Sequence, residues 1–129
     1  MNRLLFTLVT LMSFGMFASA QQKAIETARI KTPTALCEAC KPRIETYVKR
    51  IDGIQSINVN YRKGETVVKY VTDRTNIEEI KTAIANMGYD ADDIPANEES
   101  YKRLPITCKK PEDGGKHPKP KVVPVAEGQ

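Results

Sequence analysis

The period of apolar and polar positions changes several times along this chain, and each change marks an element. Residues 4–17 are almost wholly apolar, with Arg3 before them and Ala18-Ser19-Ala20 behind. Residues 24–31 alternate loosely, with Glu26, Ala28 and Ile30 on one side, which predicts a first strand ended by Pro33. From Cys40 to Ile51 the apolar positions become Ile44, Tyr47, Val48 and Ile51, one stripe of a helix. Pro42 suits its first turn, Lys49 and Arg50 suit its last, and Gly53 is a natural stop. Alternation returns at 54–61, with Ile57, Val59 and Tyr61 on one face, and again at 66–72. The connection Arg62-Lys63-Gly64-Glu65 makes a hairpin of the two runs. Asp73 or Thr75 is placed to cap a second helix with the stripe Ile77, Ile80, Ile84 and Met87, ended by Gly88. Residues 91–94 predict a short closing strand.

The resulting order, β-α-β-β-α-β, predicts an α+β fold of the ferredoxin-like kind. Two helices lie on one face of a four-stranded antiparallel sheet. Beyond Pro95 the pattern weakens. Residues 98–104 predict one or two helical turns within a short extension, 95–108. Residues 109–129 carry Pro, Gly and Lys with few apolar positions and predict a disordered tail.

The N-terminal pattern is that of a secretory signal peptide, 1–20, cut after Ala20. Its apolar run falls short of the ~20 residues that cross a bilayer, and no later segment reaches that length. The mature chain, with its domain at 21–94, is therefore expected outside the cytoplasm, periplasmic or secreted, with no stable membrane span. Composition narrows the partners. The chain has 129 residues, a formal charge of +4, 6% aromatics and no Trp. Its charges alternate in sign, which points away from nucleic acid and towards a solvated surface. The apo protein is expected to be a monomer.

The candidate chemistry sits between the first strand and the first helix, at Cys37 and Cys40. Two thiols three residues apart, entering a helix, can aim at one point. The positive helix end, with Lys41 and Arg43 beside it, favours thiolates. Thiolates are soft ligands for Cu(I), Hg(II) or Zn(II). Two ligands alone do not make a closed structural zinc site, which needs four. Two other readings use the same pair: a thiol–disulfide oxidoreductase, with Cys37 as nucleophile and Cys40 resolving, or a plain structural disulfide. The first lacks a Trp before the pair and has the wrong element order. No Ser/His/Asp set, phosphate-binding Gly loop or carboxylate pair supports another enzyme class, so the protein is expected not to be an enzyme. Cys108, an odd third thiol, is either a third ligand folding back over the pair, a surface thiol or one half of an intermolecular disulfide. His117, the only His, is expected in the solvated tail. Asp90, Asp92 and Asp93 resemble a hard-ion cluster but suit a solvated edge better.

Several motifs in order resemble one family: the Cys37/Cys40 loop, Ile44-Glu45, the run Gly53-Ile54-Gln55-Ser56-Ile57-Asn58-Val59-Asn60, and Ile84-Ala85-Asn86-Met87-Gly88-Tyr89-Asp90. Together they are similar to the heavy-metal-associated domain of copper chaperones, copper-exporting ATPases and the periplasmic mercury-binding protein. The resemblance implies Cys37 and Cys40 as ligands, Tyr89 near the site, and a metal-transporting ATPase or another metal-binding domain as partner. The family usually carries a buried Met two residues before the first Cys. Here that position is Ala35, so either the loop is looser or Leu36 anchors it.

Overall fold

The computed structural model describes residues 24–117. The expected signal peptide, and the part of the expected tail from 118 onward, lie outside the described residues. Strand β1 (Ile25–Lys31) leads through a loop to helix α1 (Cys40–Val48). Strands β2 (Ile54–Asn60) and β3 (Glu65–Val71) come next as a hairpin, then helix α2 (Ile77–Asn86) and the short helix α3 (Glu98–Lys102). Two 3-10 turns, Ile106–Cys108 and Pro111–Asp113, close the described chain.

The sheet is antiparallel with order β1-β3-β2. Ile30 faces Thr66 across β1 and β3, and Ile57 faces Val68 across β2 and β3. Because strand side chains alternate, this register puts Ile30, Val59 and Val68 on one buried face. Ile44 and Val48 of α1, and Ile80 and Ile84 of α2, cover it and are fully buried. Helix α1 is also tied to the free edge of β2: Glu45 Oε1 accepts the Val59 N–H at 2.9 Å. No helix among the described residues is long and apolar enough to cross a membrane.

The fold class is the ferredoxin-like one, but the fourth strand is not formed. Ala91 and Ile94 bridge each other, with both backbone bonds at 2.9 Å. Asp92 between them adopts a φ of 50°. Pro95 comes directly after and has no N–H to extend a ladder. The segment therefore folds into a tight turn instead of running along β1. It still touches β1 at one point, where the Asp92 N–H donates to the Lys31 carbonyl and the Lys31 N–H donates to Asp92 Oδ1.

Smaller expectations also change. The N-cap of α2 is Asn76, not Asp73 or Thr75; its side chain accepts the Glu79 N–H at 3.0 Å. Thr75 is buried and donates its hydroxyl to Glu79. Asn76→Ala is expected to cost about 1 kcal/mol, the usual loss for such a cap, as a lower urea midpoint with unchanged slope. Helix α1 stops at Val48, so Lys49 and Arg50 lie beyond its last turn. Tyr47, expected in the core, is 45% exposed. Within the expected tail, Pro111–Asp113 form a 3-10 turn, and His117 is half-buried rather than solvated.

Candidate metal centre

The loop between β1 and α1 is held at several points. The Thr32 N–H donates to the Gly64 carbonyl, and the Ala35 N–H donates to the Thr32 carbonyl. The Thr32 and Thr66 hydroxyls meet at 2.9 Å in the interior. Thr34 Oγ1 accepts the Asp90 N–H, joining the loop to the chain after α2. Ala35 itself is fully buried, whereas Leu36 is only half-buried. The loop is thus neither loose nor anchored through Leu36. Buried threonine bonds pin it, and Ala35 shares its core cluster with Leu104 and Cys108 from the C-terminal extension.

Cys37 ends this loop and Cys40 is the first residue of α1, with its N–H donating to the Cys37 carbonyl. Their Sγ atoms are 3.4 Å apart. The chain then brings Cys108 to the same place, with its Sγ 2.9 Å from that of Cys40. All three thiols are buried, and their Sγ atoms lie within 4.8 Å of one another. This is the one such cluster among the described residues. All three cysteines are free, so the structural-disulfide reading is not the state seen.

The surroundings shift the protons of these groups. Cys40 donates to Cys108, and this hydrogen bond, with burial, holds the Cys40 proton in place and pushes its pKa far up. The same bond stabilises the Cys108 thiolate and lowers it to about 6, with Thr107 and Arg43 acting in the same direction. The Tyr89 phenol is pushed up, chiefly by burial. Its hydroxyl is buried without a hydrogen-bond partner, although the ring lies beside the thiols. An unpaired buried hydroxyl costs about 1–3 kcal/mol. Tyr89→Phe is therefore expected to stabilise the reduced apo protein by about 1 kcal/mol, read as a higher denaturation midpoint.

Of the residues singled out in the sequence, Cys37, Cys40, Cys108, Ala35 and Tyr89 come together. Lys41 is drawn instead towards Glu45, 3.7 Å away. The three aspartates do not form a site: Asp90 accepts the Ala96 N–H, Asp92 the Lys31 N–H, and Asp93 pairs with Lys81 at 3.1 Å. Thr107 was not singled out, yet its carbonyl accepts the Cys37 thiol at 3.0 Å. A backbone acceptor leaves no mark in sequence.

Residues 29–90 match the family described as the heavy-metal-associated domain, and that stretch of the chain is such a domain. The chain is 31% identical over 80 residues to a copper-exporting P-type ATPase of Staphylococcus aureus (strain Newman). That match covers 62% of this chain and 10% of the ATPase, so the chain spans about a tenth of the relatives it matches. The solved CopZ metallochaperone superposes with a TM-score of 0.50 at 29% identity, covering 51% of this chain and 98% of CopZ. Oxidised MerP from Ralstonia metallidurans CH34 gives 0.51 at 22% identity, covering 54% and 96%, and shares the fold. The extension that carries Cys108 lies outside the matched domain.

Proposed function

We propose that this protein is an exported soft-metal carrier, a chaperone or scavenger, whose Cys37 and Cys40 thiolates hold Cu(I). Hg(II) or Zn(II) are the alternative ions. The observation that carries the reading is the pair of buried, free thiols 3.4 Å apart at the start of α1 in a heavy-metal-associated domain. Soft sulfur ligands select thiophilic ions. Copper is favoured because matched relatives are named as copper-exporting ATPases and as a metallochaperone. Export rests on the N-terminal pattern of Arg3, the apolar run and Ala18-Ser19-Ala20.

Each ligating thiol gives its proton to solvent on loading. Delivery then needs no bond-making on an organic substrate. An acceptor thiolate bonds to the ion as one of this chain's sulfurs leaves it. The partner that fits is another thiolate-bearing metal domain, such as that of a metal-transporting ATPase. A shallow groove lined by Pro42, Arg43, Thr46, Tyr47, Arg50 and Met87 lies along α1, one turn from Cys40, and offers cations to an acidic acceptor.

Anaerobic competition of the reduced protein against a chelator tests this reading. Cu(I) is expected to bind stoichiometrically and to displace Zn(II). Catalytic reduction of a model disulfide without metal, together with no stoichiometric ion, would favour the oxidoreductase instead.

A further inference from the structure

The extension after residue 96 is folded around the thiols in a way the domain itself does not require. The Asn97 N–H donates to the Ala85 carbonyl at the end of α2. Helix α3 then crosses Gly88 so closely that a Cβ there would lie 2.8 Å from the Tyr101 nitrogen; Gly88 also has a φ of 97°. Leu104 turns into the core. The 3-10 turn Ile106–Cys108 grips both members of the pair: the Thr107 carbonyl accepts from Cys37, and Cys108 accepts from Cys40. Three hydrogen bonds lock this turn. Tyr101 donates its hydroxyl to Asp113 and accepts the Lys110 N–H, and the Lys116 N–H returns to the Ile106 carbonyl.

We propose that the segment 97–116 is a strap that supplies Cys108 as a third thiolate, so the ion is held in a closed three-sulfur site and leaves when the strap yields. This deepens the metal-carrier reading and rests on it. Three sulfurs around an ion at ~2.3 Å bonds stand about 4 Å apart. The two resolved separations, 3.4 and 2.9 Å, need to open by about 1 Å or less to reach that spacing. The buried, unpartnered Tyr89 hydroxyl is a second pointer, being a donor beside the thiols with nothing to donate to. Thiolate sulfur that carries the residual negative charge of a loaded site is an acceptor for it. Arg43, already acting on Cys108, offsets part of that charge. Release is ligand exchange without redox. The acceptor's sulfur–ion bond forms as the Cys108–ion bond breaks, and Cys108 takes a proton back from solvent.

The test uses the reduced full chain, its Cys108→Ser variant and its Tyr101→Phe variant, each with one equivalent of Cu(I) under anaerobic conditions. X-ray absorption is expected to count three sulfurs in the unmodified chain and two in Cys108→Ser. The unmodified count needs no variant to fold. Handover of Cu(I) to a coloured chelator is expected to be at least about tenfold faster from Cys108→Ser, since loss of even an outer-shell partner costs 10–100-fold in affinity. Tyr101→Phe keeps all three thiols but loses two of the three bonds that lock the turn; it should retain three sulfurs and release faster. Two sulfurs in the unmodified chain, or equal handover rates with and without Cys108, overturns the strap while leaving the Cys37/Cys40 carrier intact. Failure of every form to bind Cu(I) overturns both.

Discussion

A chain carrying both Cys37→Ser and Cys40→Ser is expected to lose soft-ion binding by more than about 100-fold, while its fold survives. The loss exceeds what outer-shell substitutions cost because two sulfurs are removed from the ion itself. Cys108 cannot compensate, since one thiolate forms no chelate. Serine is nearly isosteric and remains able to donate to the Thr107 carbonyl, as Cys37 now does. Far-ultraviolet circular dichroism should therefore be unchanged, and competition against a chelator should show the loss. Retention of affinity within about threefold of the unmodified chain would remove the pair from the site.

The largest expected effect on stability lies directly behind that pair. Ile44 is fully buried one turn after Cys40 and belongs to the cluster that joins α1 to the sheet. Ile44→Ala removes buried methyl and methylene groups and leaves a cavity where α1 meets β2. Such substitutions cost about 2–5 kcal/mol. About 3 kcal/mol corresponds to a fall in Tm of roughly 12–24 °C for a domain of this size. The loaded protein should unfold at a higher temperature than the apo protein, in the unmodified chain and in Ile44→Ala alike, because a bound ion adds its own binding energy to the folded state. Calorimetry of both forms reads the midpoints. Equal midpoints with and without the ion would mean that the ion does not stabilise the fold.

The elements that were legible in sequence are those whose period is enforced by burial. The stripe Ile44, Val48 and the stripe Ile80, Ile84 each faced one sheet, and the alternation of Ile57 and Val59 fixed the face of β2. The thiol pair was legible because its spacing and its place before α1 are both local. Three features were not. The closing strand failed because Asp92 accepts a positive φ and pairs with Lys31, so a short alternating run becomes a turn. Tyr47 fell on the helical stripe, but its side of α1 borders an open groove rather than the sheet. The substitution of Ala35 for a larger residue looked like a weakness in the loop. Its consequence became visible only with the extension in place, where Leu104 and Cys108 join the same cluster. The nearness of Cys108 to Cys40, 68 residues earlier, is set by long-range packing that no local pattern records.

If Cys37 and Cys40 are the heart of a soft-metal site, native mass spectrometry of the reduced chain with limiting Cu(I) will show it without an activity assay. One ion per chain is expected in the unmodified protein, and none with both cysteines replaced by serine. Equal metal content in the two proteins would contradict the assignment of the site to this pair.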